Sequence, residues 1–183
     1  MSLINHIERY LGPIDEGWQL TESSSKIRTA AFPQQPTESA ITYATLGLSD
    51  EILPMSSERD VRQELVFSAD ESFPRAAISS FLLTFADYIL SGRRALLRGD
   101  VVGPSEPIIP GISLNAVYAS IPVIFGNGFA TYNGTTPPTV LVWLIPLHGV
   151  EGEFVKRNGW NAFEDLLEAK DPDLLDLNRM PII

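Results

Sequence analysis

Residues Thr139–Leu147 read TVLVWLIPL, with Val140, Leu141, Val142, Trp143, Leu144 and Ile145 following one another without a polar residue between them. A strand with one wet face alternates apolar and polar side chains, so an unbroken run of this kind is the pattern of a central strand covered on both faces. The core is therefore expected here. Downstream, residues 149–170 turn helical, with an apolar face of Trp160, Phe163, Leu166 and Leu167 and a weak break at Asn158-Gly159. The tail, residues 171–183, is acidic and then apolar, and its periodicity assigns it to neither element. Upstream, Gly126, Gly128, Asn133, Gly134, Pro137 and Pro138 make residues 125–138 a hairpin or an exposed excursion. Residues 114–124 read as extended and interrupted at Pro122.

Further toward the N-terminus, Gly103, Pro104 and Pro107 preclude regular structure for most of residues 99–110, although Asp100-Val101-Val102 can pair briefly. Ser72 and Pro74 stand where an N-cap and a first-turn proline belong. Behind them Ile78, Phe81, Leu82, Phe85, Tyr88 and Ile89 form an apolar stripe up to Gly92, which predicts the main helix. Residues 61–67 place Val61, Gln63, Leu65 and Phe67 on one face and Arg62, Glu64 and Val66 on the other. Ala40–Leu46 is rich in β-formers and runs into the turn residues Gly47 to Asp50. Residues 26–32 read as a polar edge strand that ends at Pro33, preceded by a loop marked by Gly17 and the serines 23–25. Leu3, Ile4, Ile7, Tyr10 and Leu11 recur at helical spacing after Ser2, and Gly12-Pro13 closes them. The order predicts an α+β fold, a mostly antiparallel mixed sheet packed by helices, in a single domain over residues 1–183.

Composition narrows the function. A chain of 183 residues with 44% hydrophobic side chains can bury about 70% of its unfolded surface, which is enough for a real core. The absence of cysteine excludes disulfides, thiolate metal sites and a cysteine nucleophile. The formal net charge of −10 repels nucleic acid and anionic membranes, so a macromolecular partner is expected to be a basic protein. The first residues lack a basic stretch followed by an apolar one, which predicts a cytoplasmic protein. No apolar run is long enough to cross about 30 Å of hydrocarbon.

The chemistry-bearing motifs are mostly absent. There is no G-x-S-x-G elbow, no phosphate-cradling G-x-x-x-x-G-K-[ST] loop, no H-E-x-x-H pair and no G-x-G-x-x-G opening a helix. Gly126-Asn127-Gly128 fits a hairpin turn better than a nucleotide loop. Two histidines exist, His6 and His148, and His148 with Glu151 and Glu153 is the one combination that could hold a metal. Two carboxylates at a helix start are also favoured by the helix dipole without any ligand. The pairs Glu164-Asp165 and Asp171 with Asp173 read as a solvated helix face and helix end. No catalytic signature and no cofactor are implied.

Several stretches, in order, resemble the suppressor of fused domain. Residues 41–50, ITYATLGLSD, are similar to that family's strand ending in a Gly-Leu-Ser turn, and Glu64-Leu65-Val66-Phe67 to its next strand. Residues 74–88 followed by Gly99-Asp100 resemble its helix and Gly-Asp corner; residues 140–146, 151–154 and 160–167 resemble its closing strand and C-terminal helices. The resemblance spans roughly residues 30–180 and implies the N-terminal lobe of the two-lobed animal proteins, in a stand-alone, bacterial-type form. It implies a non-enzymatic protein-binding module with Tyr88 and Asp100 as the partner-contacting residues. Read from the residues alone, Tyr88 also fits a core aromatic on the stripe of Phe81 and Phe85, and Asp100 also fits a turn residue after Gly99. The functions to be weighed are an immunity protein that neutralises a cognate toxin in a polymorphic toxin system, and a regulator that sequesters a transcription factor or other client through an extended segment. A hydrolase or metal enzyme built on His148, Glu151 and Glu153 is the third.

Overall fold

A computed structural model describes residues 2–20, 26–55 and 59–183; the serine loop 23–25 lies outside them. The expected helix α1, Leu3–Leu11, is present, with Ser2 Oγ accepting from the Asn5 backbone N–H at 3.1 Å. Nine strands follow: β1 Glu16–Gln19, β2 Arg28–Pro33, β3 Ala40–Leu46, β4 Leu53–Pro54, β5 Asp60–Asp70, β6 Val101–Val102, β7 Ala116–Ser120, β8 Thr131–Tyr132 and β9 Thr139–Leu147. Helix α2, Arg75–Gly92, lies between β5 and β6, and α3, Gly149–Asn158, and α4, Trp160–Lys170, follow β9. The main sheet runs β1-β2-β3-β5-β9-β7-β6, with β4 on β5 and β8 on β9. Only β5 and β9 pair in parallel; every other described pairing is antiparallel.

The two-residue period of the strands sorts the core into layers. On one face Ala31, Ile41, Tyr43, Leu65, Phe67, Val117, Val142 and Leu144 meet Ile78, Leu82, Phe85 and Ile89 of α2. On the other, Ile7 and Leu11 of α1 cover Phe32, Ala44, Val66 and Leu141 at one end. At the opposite end Val155 of α3 and Phe163 of α4 cover Tyr118, Trp143, Ile145 and Leu147. Strand β9 is thus buried on both sides, as its apolar run requires. Each fully buried Leu or Ile there contributes up to about 1.5–3 kcal/mol.

Two expectations are corrected, and two stretches whose reading was open are resolved. The edge at the N-terminal side is β1, in the stretch read as a loop at Gly17, and β2 is an inner strand between β1 and β3. Ser72 is not the N-cap: Pro74 occupies that position without a side-chain cap, because Ser72 belongs to a turn in which its N–H donates to Asp70 Oδ1 at 2.9 Å. The segment 125–138 is not an outward excursion throughout, since Phe125 and Phe129 are buried against α1 and β8 pairs back onto β9. The tail 171–183 is an ordered strap: Leu177 is fully buried, and the Asp70 N–H donates to Leu175 O at 2.9 Å.

Candidate functional site

The C-terminal end of α2, the corner at residues 97–100 and strand β6 come together at one margin of the sheet. Strand β6 is terminal in the sheet order, so one side of its backbone has no strand neighbour among the described residues. Such an edge presents main-chain donors and acceptors to any extended chain of suitable shape.

The corner is built from the helix end outward. Leu96 N–H donates to Gln63 Oε1 and Gln63 Nε2 donates to Leu96 O, at 2.9 and 2.7 Å, which ties the loop after α2 to β5. The chain then reverses: Asp100 N–H donates to Leu97 O, and Asp100 Oδ2 accepts from the Leu97 N–H, both at 2.9 Å. Gly99, with φ +93°, makes the reversal possible, and a Cβ on it would stand 2.7 Å from the ring of Trp160. Trp160, the first residue of α4, in turn carries the Arg98 guanidinium over its ring at 4.3 Å.

Arg98 also pairs with Glu164, through Nε to Oε1 at 3.1 Å and through Nη2 to Oε2. The Tyr118 hydroxyl donates to Glu164 Oε1 at 2.7 Å. Glu164 is therefore no solvated helix residue. Although burial pushes its carboxyl up, hydrogen bonds from Arg98 and Tyr118 hold it below the ordinary carboxylate range. Burial and the bond to Glu164 push the Tyr118 phenol up. Four side chains, from α4, β7 and the corner loop itself, lock the corner from behind.

The two residues singled out from the resemblance both line one cleft of about 380 Å³, together with Arg94, Leu96, Val101 and Val102. Tyr88 is 58% exposed and is not a core residue; it lies on the flank of α2 while Phe85 and Ile89 stay buried, and its ring stands 5.9 Å from that of Phe85. Asp100 has both the turn role and a half-buried carboxylate facing Arg94, whose Nη2 lies 3.4 Å from each oxygen. At that distance, with the Arg94 side chain 72% exposed, the pair is weak and open to exchange. Periodicity alone could not reveal the supporting residues Trp160, Glu164 and Tyr118. A glycine directly before an aspartate was the signal for the corner itself.

The combination His148, Glu151 and Glu153 is not brought together as a ligand set. Glu151 is fully buried and its two oxygens receive both terminal nitrogens of Arg179, at 2.7 and 2.8 Å. It also accepts from the His148 and Ile182 backbone N–H groups, at 2.8 and 3.0 Å. The His148 ring Nε2 lies 2.8 Å from Arg179 O, and Glu153 instead pairs with Lys156 at 3.0 Å. No group of three His, Asp or Glu among the described residues is arranged to hold a metal. Glu151 and His148 clamp the C-terminal strap.

That clamp makes stability pH-dependent. Burial pushes the Glu151 carboxyl up, but the Arg179 guanidinium and two backbone N–H groups outweigh it and hold the carboxyl below its ordinary value of 4.5. The unfolded chain therefore takes up this proton first. The stability it contributes is full above about pH 4.5 and is lost as pH falls through the lower, folded value. Glu64 acts with the opposite sign: its burial outweighs hydrogen bonds from Thr45, Ser49 and Gly47 and raises its value, so its burial costs stability as pH rises through that value. Urea unfolding of Glu151→Gln between pH 3 and 7 is expected to show a shallower loss toward acid than the unaltered protein; equal slopes would contradict this assignment.

The fold defined here is an α+β sheet with an open terminal strand beside a Gly-Asp corner. The family model described as suppressor of fused protein (SUFU) matches residues 23–180. The chain belongs to the suppressor of fused family. Among solved structures it is similar to a protein described as a SUFU homolog from Neisseria gonorrhoeae, at TM-score 0.79 and 16% identity over 98% of this chain and 93% of that one. It is also similar to a chain of the Sufu–Fu complex, at TM-score 0.73 and 12% identity, covering 98% of this chain and 90% of that one. Drosophila Suppressor of Fused matches at TM-score 0.75 and 12% identity over 98% of this chain, which spans half of that protein. No curated protein matches in sequence. No helix among the described residues is long and apolar enough to cross a membrane.

Proposed function

We propose that this chain is a non-enzymatic protein-binding module that takes an extended segment of its partner onto the free edge of β6, with Tyr88 and Asp100 fixing its register. The observation that carries the reading is the convergence of three features in one cleft: a strand edge, an exposed phenol and a carboxylate held by a weak, exchangeable ion pair. Main-chain hydrogen bonds along an added strand give affinity, and the two side chains give position. The Sufu–Fu structure, a complex that contains a similar chain, supports protein binding as the kind of function.

The net charge of −10 favours encounter with a basic partner, an effect on rate more than on affinity. A basic toxin domain neutralised in the cytoplasm by its cognate immunity protein fits that charge. The alternative partner is a regulatory client such as a transcription factor, held through an extended segment.

The test is affinity capture from the protein's own cell lysate, with Tyr88→Ala and Asp100→Asn alongside. Asp100→Asn keeps an acceptor for the Leu97 N–H while removing the charge. Because Tyr88 is 58% exposed, its truncation is expected to change stability by no more than about 0.5 kcal/mol. One basic protein, retained by the unaltered chain and weakened about tenfold or more in both variants, is the expected result. Equal retention by both variants would overturn the site.

A further inference from the structure

The cleft with Tyr88 and Asp100 continues past Tyr88 into a second and larger one. This second cleft, about 790 Å³, runs between the outward face of α2 and the loop that follows β6. Tyr88, Val102 and Gly103 line both, so the two clefts share a boundary at β6. The wall on α2 is formed by Ala77, Phe81, Thr84 and Phe85 leading up to Tyr88, residues spaced to fall on one side of the helix. The opposite wall carries Pro104, Pro107 and Pro110. Such a volume lies within the roughly 300–1,000 Å³ of ordinary ligand sites, and its lining is mostly apolar.

Two observations identify the occupant. The only charged side chain lining this cleft is Glu106, which is exposed; no Lys, Arg or His faces it. The walls on both sides are otherwise apolar or uncharged. The site therefore offers apolar walls and a carboxylate at the rim. These features match a peptide with large apolar side chains and a cationic residue. Gly103, which lines both clefts, has φ +109°, and a Cβ on it would lie 2.8 Å from Asn115 O, so only glycine lets the chain pass this close to β7 here.

We propose that the α2–proline-loop cleft binds the continuation of the partner's extended segment, and that the specificity of the module lies there, for a segment that combines large apolar side chains with a Lys or Arg opposite Glu106. This rests on the β6-edge reading above. The α2 wall from Ala77 to Tyr88 is about 16 Å long at the helical rise, a length an extended peptide covers in about five residues. The footprint thus includes roughly five residues beyond those at the β6 edge.

The experiment selects binders from a random dodecapeptide library on the full chain and measures the best ones by fluorescence anisotropy against three variants. Thr84→Trp fills the cleft from an exposed helix position, Glu106→Lys reverses the rim charge in an exposed loop, and Tyr88→Ala reports on the shared boundary. Expected are peptides rich in large apolar residues with at least one Lys or Arg, weakened about tenfold or more by Thr84→Trp and by Glu106→Lys. Peptides that lose affinity only with Tyr88→Ala would overturn this proposal and leave the β6-edge reading standing. Peptides indifferent to all three variants, or no enrichment at all, would overturn both.

Discussion

Replacing Arg179 by Ala is expected to lower stability by about 3–5 kcal/mol, because a fully buried carboxylate is then left without its counter-charge. Glu151 is 0% exposed and both its oxygens are held by Arg179, whose Nη2 also donates to Pro146 O at 3.1 Å. Arg179 thereby anchors the strap that carries Leu177 into the core beneath α2 and Ile182 against the α3–α4 layer. The paired replacement Glu151→Leu with Arg179→Met removes both charges and is expected to recover much of the loss, since a buried ion pair adds little over a well-packed apolar pair. Urea unfolding at neutral pH reads both variants. A loss below about 1 kcal/mol for Arg179→Ala would mean that the strap is not clamped as described, since that is the size expected of an exposed pair.

The second large effect falls on binding. Gly99→Val places a branched side chain at φ +93° and drives a Cβ into Trp160, at 2.7 Å from its ring. The backbone strain costs about 1–3 kcal/mol, and the corner moves because Trp160 is itself held under Arg98. Asp100 and the start of β6 move with the corner. Partner affinity is expected to fall by about a hundredfold, roughly 2.8 kcal/mol, with the fold retained. In Gly99→Ala with Trp160→Gly both the ring and the Cβ that the new side chain would meet are gone, and affinity is expected to exceed that of Gly99→Ala alone, although the positive φ still strains the alanine. Calorimetric titration with the captured partner distinguishes these cases; unchanged affinity in Gly99→Val would separate the corner from binding.

What could be read from the sequence follows from range. Strand β9 announced itself because its burial on both faces is written in consecutive residues, and α1, α3 and α4 because their caps and breaks are local. Strand β1, Glu16-Gly17-Trp18-Gln19, has no strand pattern of its own and exists only through its pairing with β2. Glu64 looks like the outward member of an alternating strand, yet it is buried, where Thr45, Gly47 and Ser49 supply the donors. Those donors come from the end of β3 and the turn after it, which no spacing within β5 discloses.

The site divides the same way. Tyr88 and Asp100 were singled out through resemblance, and helical periodicity would have buried Tyr88 beside Phe85, whereas its ring lies on the exposed flank of the helix while Phe85 and Ile89 stay in the core. Arg98, Tyr118, Trp160 and Glu164 support the corner across separations that leave no local trace; the Arg98–Glu164 contact spans 66 residues. His148, Glu151 and Glu153 show the converse. Their spacing suggested ligands, while the residue that decides their role, Arg179, lies 28 positions beyond Glu151.

The central claim is that a partner segment pairs with the free edge of β6. Amide hydrogen exchange of the full chain, alone and saturated with the captured partner, tests it most directly, because a backbone N–H at a strand edge exchanges readily until another chain accepts from it. The account predicts slowed exchange concentrated at Val101 and Val102, with the α1 and α4 surfaces unchanged. Protection confined to α1 or α4, with Val101 and Val102 exchanging as in the free protein, would contradict it.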